Sequence, residues 1–111
     1  MPCIFCKIVH KELSAAVVYE DENILAFKDI EPKAPVHILI ISKKHIPAIS
    51  HIESQDQELI GRLFLAAKII AKEQGVSETG YRLIFNVGRD AGQTVNHLHL
   101  HLIGGEKLPW S

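Results

Sequence analysis

The sequence has almost no net charge, which argues against two classes of partner. Its 12 lysine and arginine residues are balanced by 13 aspartate and glutamate residues, so the formal net charge is -1 at pH 7. Nucleic-acid binders use a basic surface to release counterions from phosphates, and anionic membranes attract similar basic runs. We therefore expect no nucleic acid and no membrane as partners. A phosphate-bearing ligand would have to be held largely by neutral donors and histidine.

Cysteine and long apolar segments are also scarce. The only two cysteines, Cys3 and Cys6, are too close in sequence for a disulfide bond between them to stabilise the fold, so a reducing, cytoplasmic location is expected. Residues 1–16 contain no apolar signal-peptide core, and no segment reaches the roughly 20 apolar residues that span a bilayer. With 47% hydrophobic and 23% charged residues, the chain is expected to form a single globular domain over residues 1–111.

Hydrophobic periodicity predicts an α+β fold with a mainly antiparallel, five-stranded sheet. The predicted strands cover residues 16–19, 24–27, 36–41, 81–87 and 97–103. A short helix or turn is expected over residues 5–10. Ser54 and Gln57 fit a capping box at the start of one long helix, and Gly75 is its expected C-terminal stop.

The long helix carries apolar residues on two sides. Its expected core face consists of Leu59, Ile60, Leu63, Phe64, Ala67, Ile70 and Ala71. Gly61, Leu65 and Ile69 lie four residues apart on the opposite side, and we call them the second stripe. The stripe is either scattered surface apolarity, which is common, or a face buried against a partner subunit. The pattern leaves both interpretations open.

Three histidines alternate with leucines near the C-terminus. In a strand, His97, His99 and His101 would share one face and the intervening leucines would face the core. Neighbouring histidines would be about 6.6–6.8 Å apart along the strand, close enough for their imidazoles to contact one phosphoryl group. A neutral imidazole can attack phosphorus to form a covalent intermediate, while its neighbours donate hydrogen bonds or move a proton.

The histidines also allow two other interpretations, namely a solvent-facing strand and a catalytic metal site with three histidine ligands. The segment just upstream favours a phosphate site. Gly88 and Gly92 allow tight turns whose backbone N–H groups can form an anion-binding concavity, and Gln93 and Thr94 add neutral donors.

The two cysteines form a second candidate site. Thiolates separated by two residues suit tetrahedral zinc, which needs two further ligands. The candidates outside the alternating row are His10, His37, His45 and His51. The residues alone leave zinc and unligated thiols equally open, whereas a redox motif would need a preceding strand for which there is no room.

These motifs occur together in a known family. The pattern His-φ-His-φ-His-φ-φ of residues 97–103, with φ apolar, resembles the signature of the histidine triad (HIT) family. The similarity continues through residues 3–8 (CIFCKI), 26–30 (AFKDI), 34–37 (APVH), 43–46 (KKHI), 92–94 (GQT) and 104–105 (GG). The chain most resembles the branch of histidine triad nucleotide-binding (HINT) proteins, the purine nucleoside phosphoramidases.

The resemblance implies a HIT-like fold with one long and one short helix, and a homodimer in which the two sheets join. Each site would bind a purine nucleoside monophosphate and cleave the phosphorus–nitrogen bond of a phosphoramidate, such as adenosine phosphoramidate or adenylated lysine. His99 would be the nucleophile, and no cofactor would be required for catalysis.

The resemblance also assigns the other site residues. His101 would contact the phosphate and the bridging atom, His37 would lie behind the nucleophile, and Asp29 would hold the ribose hydroxyls. The remaining nucleotide contacts would be Phe27, Ile30, Asn86, Gly92, Gln93 and Thr94, of which Thr94 also counts as catalytic. Trp110 of the C-terminal tail would reach the partner's nucleotide.

Some zinc-binding relatives use two cysteines, the histidine of the Lys-Lys-His segment and the first triad histidine. These positions correspond to Cys3, Cys6, His45 and His97, so the implied zinc is structural. The chain departs from the family pattern at Thr94, where serine is frequent, and at Asn96, where an aromatic residue is common. The hydroxyl group is retained at the first position, whereas the second change affects local packing.

Two further functions are compatible with the sequence. One is a dinucleoside polyphosphate hydrolase of the same superfamily, and the other is a nucleotide-binding regulatory module with negligible turnover. The Gly-Gly pair and the Gly-Gln-Thr loop favour the phosphoramidase over the first alternative. An intact His99 argues against the second.

Overall fold

The computed structural model describes residues 3–110. Its helices and strands, in chain order, are α1 (Ile4–Val9), β1 (Val17–Glu20), β2 (Ile24–Lys28), β3 (Val36–Ser42), α2 (Gln57–Glu73), β4 (Tyr81–Ile84) and β5 (His99–Gly104). Short 3-10 turns lie at Ile49–His51, Ser54–Asp56 and Arg89–Ala91. Neither helix in this part of the chain is both long and apolar enough to cross a membrane.

The five strands form one sheet in the order β1-β2-β3-β5-β4, and every neighbouring pair is antiparallel. The predicted α+β fold is therefore confirmed. Strand β5 lies between β3 and β4, with His101 opposite Leu39 and His99 opposite Ile41. His37 lies two residues before Leu39 on β3, so it shares a face with His101 and is its diagonal neighbour.

The two faces of the sheet are covered unequally. Helix α2 packs on one face, where Leu63, Ala67 and Ile70 are fully buried against apolar residues of β2, β3 and β5. The other face carries a smaller cluster in which Phe5 and Ile8 of α1 pack on β2 and β3. Because α1 has only six residues, it covers part of this face and leaves room beside it for a cavity.

The start of α2 differs from the predicted capping box. The reciprocal pair is Glu53 and Asp56, one residue earlier than the expected Ser54 and Gln57. The Glu53 N–H donates to Asp56 Oδ2 at 2.9 Å, and Lys44 Nζ donates to Asp56 Oδ1 at 2.7 Å. The Lys44 hydrogen bond, like the backbone one, lowers the pKa of Asp56. The long-range lysine contact therefore helps to fix the capping register.

The C-terminal end of α2 lies where the sequence predicts it, at Gly75. The Gly75 N–H donates to the Lys72 carbonyl, and its φ of 77° is one that glycine adopts without strain. Phe64 is an exception on the core face, because it is 45% exposed. In the second stripe, Leu65 is 64% exposed and Ile69 is 47% exposed. Burial of this stripe in a homodimer stays a prediction.

Candidate functional site

Two adjoining cavities lie on the α1 face of the sheet. The apolar cavity, of about 370 Å³, is walled by aliphatic and aromatic side chains of α1, β2 and β3. The polar cavity, of about 400 Å³, includes His37, Asn86 and Gly92. Both are lined by Asp29, Thr94, His99 and His101. The site can therefore hold a ligand with an apolar part and a polar part, and the histidines lie where the two cavities meet.

His99 is held in one tautomer by the backbone. Its Nδ1–H donates to the His97 carbonyl at 2.6 Å, and the side chain is buried, with 7% exposure. Because a carbonyl oxygen can only accept, Nδ1 must carry the proton, and Nε2 keeps its lone pair when the ring is neutral. The ring also packs edge-on against Phe5, with centroids 5.2 Å apart. His99 thus has the protonation pattern that a nitrogen nucleophile requires.

His101 has the opposite tautomer, which follows from a chain of hydrogen bonds. The Lys33 N–H donates to His37 Nδ1 at 3.0 Å, so the proton of a neutral His37 is on Nε2. That Nε2–H donates to His101 Nδ1 at 2.9 Å. His101 therefore carries its own proton on Nε2, as a hydrogen-bond donor. The geometry makes His99 an electron-pair donor and His101 a proton-bearing neighbour.

The pKa values of His37 and His101 support neutral rings in this series of hydrogen bonds. Burial, followed by the neighbouring His99 and His37, lowers the pKa of His101 to about 4. Burial also lowers the pKa of His37, with Asp29 acting in the opposite direction through an Oδ2 atom 3.3 Å from His37 Nε2. Both imidazoles are therefore neutral near pH 7, as the hydrogen-bond directions require.

The loop before β5 is shaped by glycine and by Gln93. Gly88 and Gly92 have φ values of 83° and 81°, in the left-handed region that favours glycine. The Gln93 side chain accepts from the Gly88 N–H at 2.9 Å and donates to the carbonyls of Pro47 and Val95. Its amide is therefore committed to holding the loop, whereas the expectation placed Gln93 at the phosphate. Thr94 and Gly92 do line the cavities.

The remaining predicted nucleotide contacts fall into two groups. Phe27 and Asp29 line the apolar cavity together with Ile30, which is 94% exposed at its rim. Trp110 lies elsewhere, beside Arg82 and Phe85, and is 93% exposed. The structure therefore does not bring Trp110 into the site of its own chain.

The first histidine of the row separates from the other two, contrary to the prediction of a strand over residues 97–103. His97 precedes β5, is fully buried, and donates from Nε2 to the Ser42 carbonyl at 2.7 Å. Its Nδ1 joins Cys3, Cys6 and His45 in a cluster whose ligand atoms all lie within 4.8 Å of one another. The three histidines therefore do not converge on one point, as a three-histidine metal site would need.

We call Cys3, Cys6, His45 and His97 the thiol–imidazole cluster, and its geometry fits a tetrahedral ion. His97 Nδ1 is 3.3 Å from Cys3 Sγ, 3.6 Å from Cys6 Sγ and 3.2 Å from His45 Nδ1. Ordinary zinc–ligand lengths give tetrahedral edges of about 3.5 Å between sulfur and nitrogen and about 3.3 Å between nitrogens. The hydrogen bond to Ser42 fixes the tautomer that leaves Nδ1 free to bind a metal.

Without a cation, the surroundings of the Cys6 thiol oppose its ionisation. Burial and the adjacent Cys3 thiol raise the pKa of the Cys6 thiol. A bound cation would reverse this by stabilising the thiolate, and binding would release protons. A second group that meets the spacing for a metal is Asp29, His37 and His101. Its imidazole nitrogens already satisfy each other through the hydrogen bond described above, so it needs no ion.

Sequence reasoning missed the wall contributed by α1. Ile4, Phe5 and Ile8 line the apolar cavity, although only the cysteines of this segment had been singled out. The available signal was the spacing of Phe5 and Ile8, three residues apart and therefore on one face of a helix. Leu39 and Val95 complete the wall.

Comparison with known proteins agrees with this geometry. A family model described as the HIT domain matches residues 10–108. The crystal structure of a HIT family hydrolase from Legionella pneumophila is 52% identical, with a TM-score of 0.96, and the match covers 98% of this chain and 97% of that one. A histidine triad nucleotide-binding protein from Candida albicans is 31% identical, with a TM-score of 0.85 and coverage of 99% and 85%. A HIT-like protein of Synechocystis, described as uncharacterised, is 49% identical over 107 residues, which are 96% of this chain and 93% of that protein. The chain therefore belongs to the HIT domain family.

Proposed function

We propose that this protein is a purine nucleoside phosphoramidase of the HINT type, which hydrolyses the phosphorus–nitrogen bond of nucleoside 5′-phosphoramidates. The observation that carries the proposal is the complementary tautomers of the two histidines at the junction of the cavities. His99 presents an unprotonated Nε2, while His101 presents an Nε2–H. The names of the hydrolase and the nucleotide-binding relative support the same general activity.

The reaction divides into two displacements at phosphorus. In the first, the lone pair of His99 Nε2 forms a bond to the α-phosphorus as the phosphorus–nitrogen bond breaks. Its electron pair stays with the nitrogen, which takes up a proton from solvent and leaves as an amine. In the second, water attacks phosphorus, the electron pair of the phosphorus–His99 bond returns to Nε2, and the water proton passes to solvent. His101 Nε2–H hydrogen-bonds the bridging atom or a phosphoryl oxygen as charge develops.

The rest of the site suits a nucleoside monophosphate. The apolar cavity suits a purine base, and the Asp29 carboxylate at its edge can accept hydrogen bonds from the ribose hydroxyls. Asn86, Gly92 and Thr94 can surround the phosphate with neutral donors. No cofactor takes part in this chemistry.

Steady-state kinetics test the proposal. We expect turnover of adenosine phosphoramidate and of adenylated lysine that exceeds the turnover of a diadenosine polyphosphate. Preference for the polyphosphate would instead identify a dinucleoside polyphosphate hydrolase. Nucleotide binding without turnover of either substrate would identify a regulatory module.

We also propose a structural zinc ion and a homodimer. Zinc held by the thiol–imidazole cluster would tie α1 to the segments that precede α2 and β5. Strand β4 lies at an edge of the sheet, close to where Phe64 of α2 contacts Phe85. The exposed second stripe of the helix and an open sheet edge are surfaces that a two-fold partner could cover while extending the sheet.

A further inference from the structure

Helix α1 contributes to two sites at once. Cys3 at its N-cap and Cys6 in its first turn belong to the thiol–imidazole cluster. Ile4, Phe5 and Ile8 form part of the apolar cavity wall. A helix of six residues has little stability of its own. Its position therefore depends on the contacts that it makes at the cluster and at the cavity.

Phe5 connects the cluster with the nucleophile. Its ring is 6% exposed and packs edge-on against His99, with centroids 5.2 Å apart and planes at 88°. The same ring contacts His97 at 5.9 Å and Phe27 at 5.5 Å. Because Phe5 lies between the two cysteines in sequence, a shift of either cysteine moves the ring that packs on His99.

His97 provides a second connection. Its Nδ1 is part of the cluster, and its backbone carbonyl accepts the Nδ1–H of His99 at 2.6 Å. The residue that orients the nucleophile is therefore also a member of the cluster. Two separate contacts thus run from the cluster to the nucleophile, one through a side chain and one through the backbone.

We propose that the thiol–imidazole cluster is energetically coupled to the nucleotide site, with Phe5 as a positioning residue for His99. This inference rests on the nucleotide site and the zinc ion proposed above. Zinc binding fixes α1, so the cavity wall and the His99 ring are already ordered when the nucleotide arrives. Zinc then tightens nucleotide binding, and the nucleotide must tighten zinc binding by the same factor.

The test measures both halves of this linkage on the full-length protein. AMP affinity is determined by calorimetry for the chelator-treated and the zinc-reconstituted protein. Zinc affinity is determined by competition with a chromophoric chelator, with and without saturating AMP. We expect both ratios to agree and to be at least about fivefold. Stoichiometric zinc binding with AMP affinities equal within about twofold would overturn the coupling. If phosphoramidate turnover persisted in that case, the proposed function would stand.

Variants separate positioning from general structure. His45 is exposed and lines neither cavity of the site, so His45→Ala weakens the cluster without changing the nucleotide contacts. We expect His45→Ala to weaken AMP binding by about fivefold in the wild-type background and by less than about twofold when combined with Phe5→Leu. Val9→Ala, on the same helix and outside both cavities, is the control for Phe5→Leu. In the Val9→Ala background, His45→Ala should still weaken AMP binding by the full factor of about five.

A spectroscopic readout completes the test. Removal of zinc should change the nitrogen chemical shifts of His99 in the wild type and change them less in Phe5→Leu. An equal zinc effect on AMP binding with and without Phe5, or unchanged His99 shifts on zinc removal, would overturn its positioning role. If the chelator-treated protein neither folds nor binds AMP, the positioning role of Phe5 is tested in the zinc-loaded Phe5→Leu variant. Unchanged kcat and His99 shifts in that variant would contradict the proposal.

Discussion

The hydrogen bond from His37 to His101 can be tested by replacing His37 with leucine. His37 is buried on β3, and its Nε2–H is the donor that determines the tautomer of His101. Leucine retains apolar bulk and removes the donor, which leaves His101 Nδ1 without its partner. Loss of a buried hydrogen-bond partner costs about 1–3 kcal/mol. If this free energy is lost only in the transition state, kcat should fall by about 5-fold to 150-fold.

The variant should change kcat more than nucleotide affinity, because AMP contacts are spread over both cavities. The pKa of His101 should rise in His37→Leu, since His37 is one of the neighbours that lower it. Kinetics with adenosine phosphoramidate give kcat, and nitrogen chemical shifts give the tautomer and the pKa of His101. His51→Leu, at an exposed histidine on a 3-10 turn outside both cavities, is the matched control. Wild-type kcat together with an unchanged His101 tautomer in His37→Leu would refute the tautomer chain.

Four further outcomes are expected. His99→Ala and His99→Asn should abolish turnover while retaining AMP binding. Mass spectrometry of the quenched wild-type enzyme should show a nucleotidyl adduct on the peptide that contains His99. Wild-type turnover rates in the two variants would exclude His99 as the nucleophile. Protein purified without chelator should contain one zinc per chain by elemental analysis, and absence of metal after zinc is supplied would leave unligated thiols. Leu65→Glu should convert the dimer into monomers in sedimentation experiments, because an unpaired buried charge is costly; a wild-type monomer at micromolar concentration would refute the dimer. Acidification from about pH 6.5 to about 4 should lower the free energy of unfolding, because His101 takes up its proton in the unfolded chain at a higher pH than in the folded protein. In denaturant titrations, the free energy of unfolding of His101→Gln should depend less on pH than that of the wild type. An equal pH dependence would exclude His101 as the cause.

The sequence predicted those features that depend on local periodicity. Helix α2 and strands β2 and β3 occur where the apolar pattern placed them, and the residues on the core face of α2 are mostly buried. The capping box was misplaced by one residue, and it opens the 3-10 turn Ser54–Asp56 that leads into α2. The Asp56 carboxylate, rather than a side chain of Ser54 or Gln57, accepts the backbone N–H of Glu53, and it also binds Lys44 from a distant part of the chain. Such a contact leaves no trace in helical periodicity.

The sequence predicted which residues form the candidate site better than it predicted their positions in space. Alternation correctly placed His99 and His101 on β5, but it could not show that the chain leaves strand geometry at His97. There the Leu98 N–H donates to the Ile46 carbonyl, outside the sheet ladder. The contribution of α1 to the cavity was missed for a similar reason. The face of the sheet that a short helix covers is decided by tertiary packing, as Phe5 shows by contacting β2 and β5 residues that are distant in sequence.

The three histidines of the row have different chemistry because each ring has a different hydrogen-bond partner. His97 donates from Nε2 to a carbonyl and keeps Nδ1 for the cluster. His99 donates from Nδ1 to a carbonyl and keeps the lone pair of Nε2. His101 accepts at Nδ1 from His37 and keeps an Nε2–H. An imidazole is a donor at one nitrogen and an acceptor at the other only while it is neutral, and burial favours this state by lowering the pKa of His97 and of His101. The hydrogen-bond partners therefore suit three identical side chains to the three different roles proposed above, those of a metal ligand, a nucleophile and a donor.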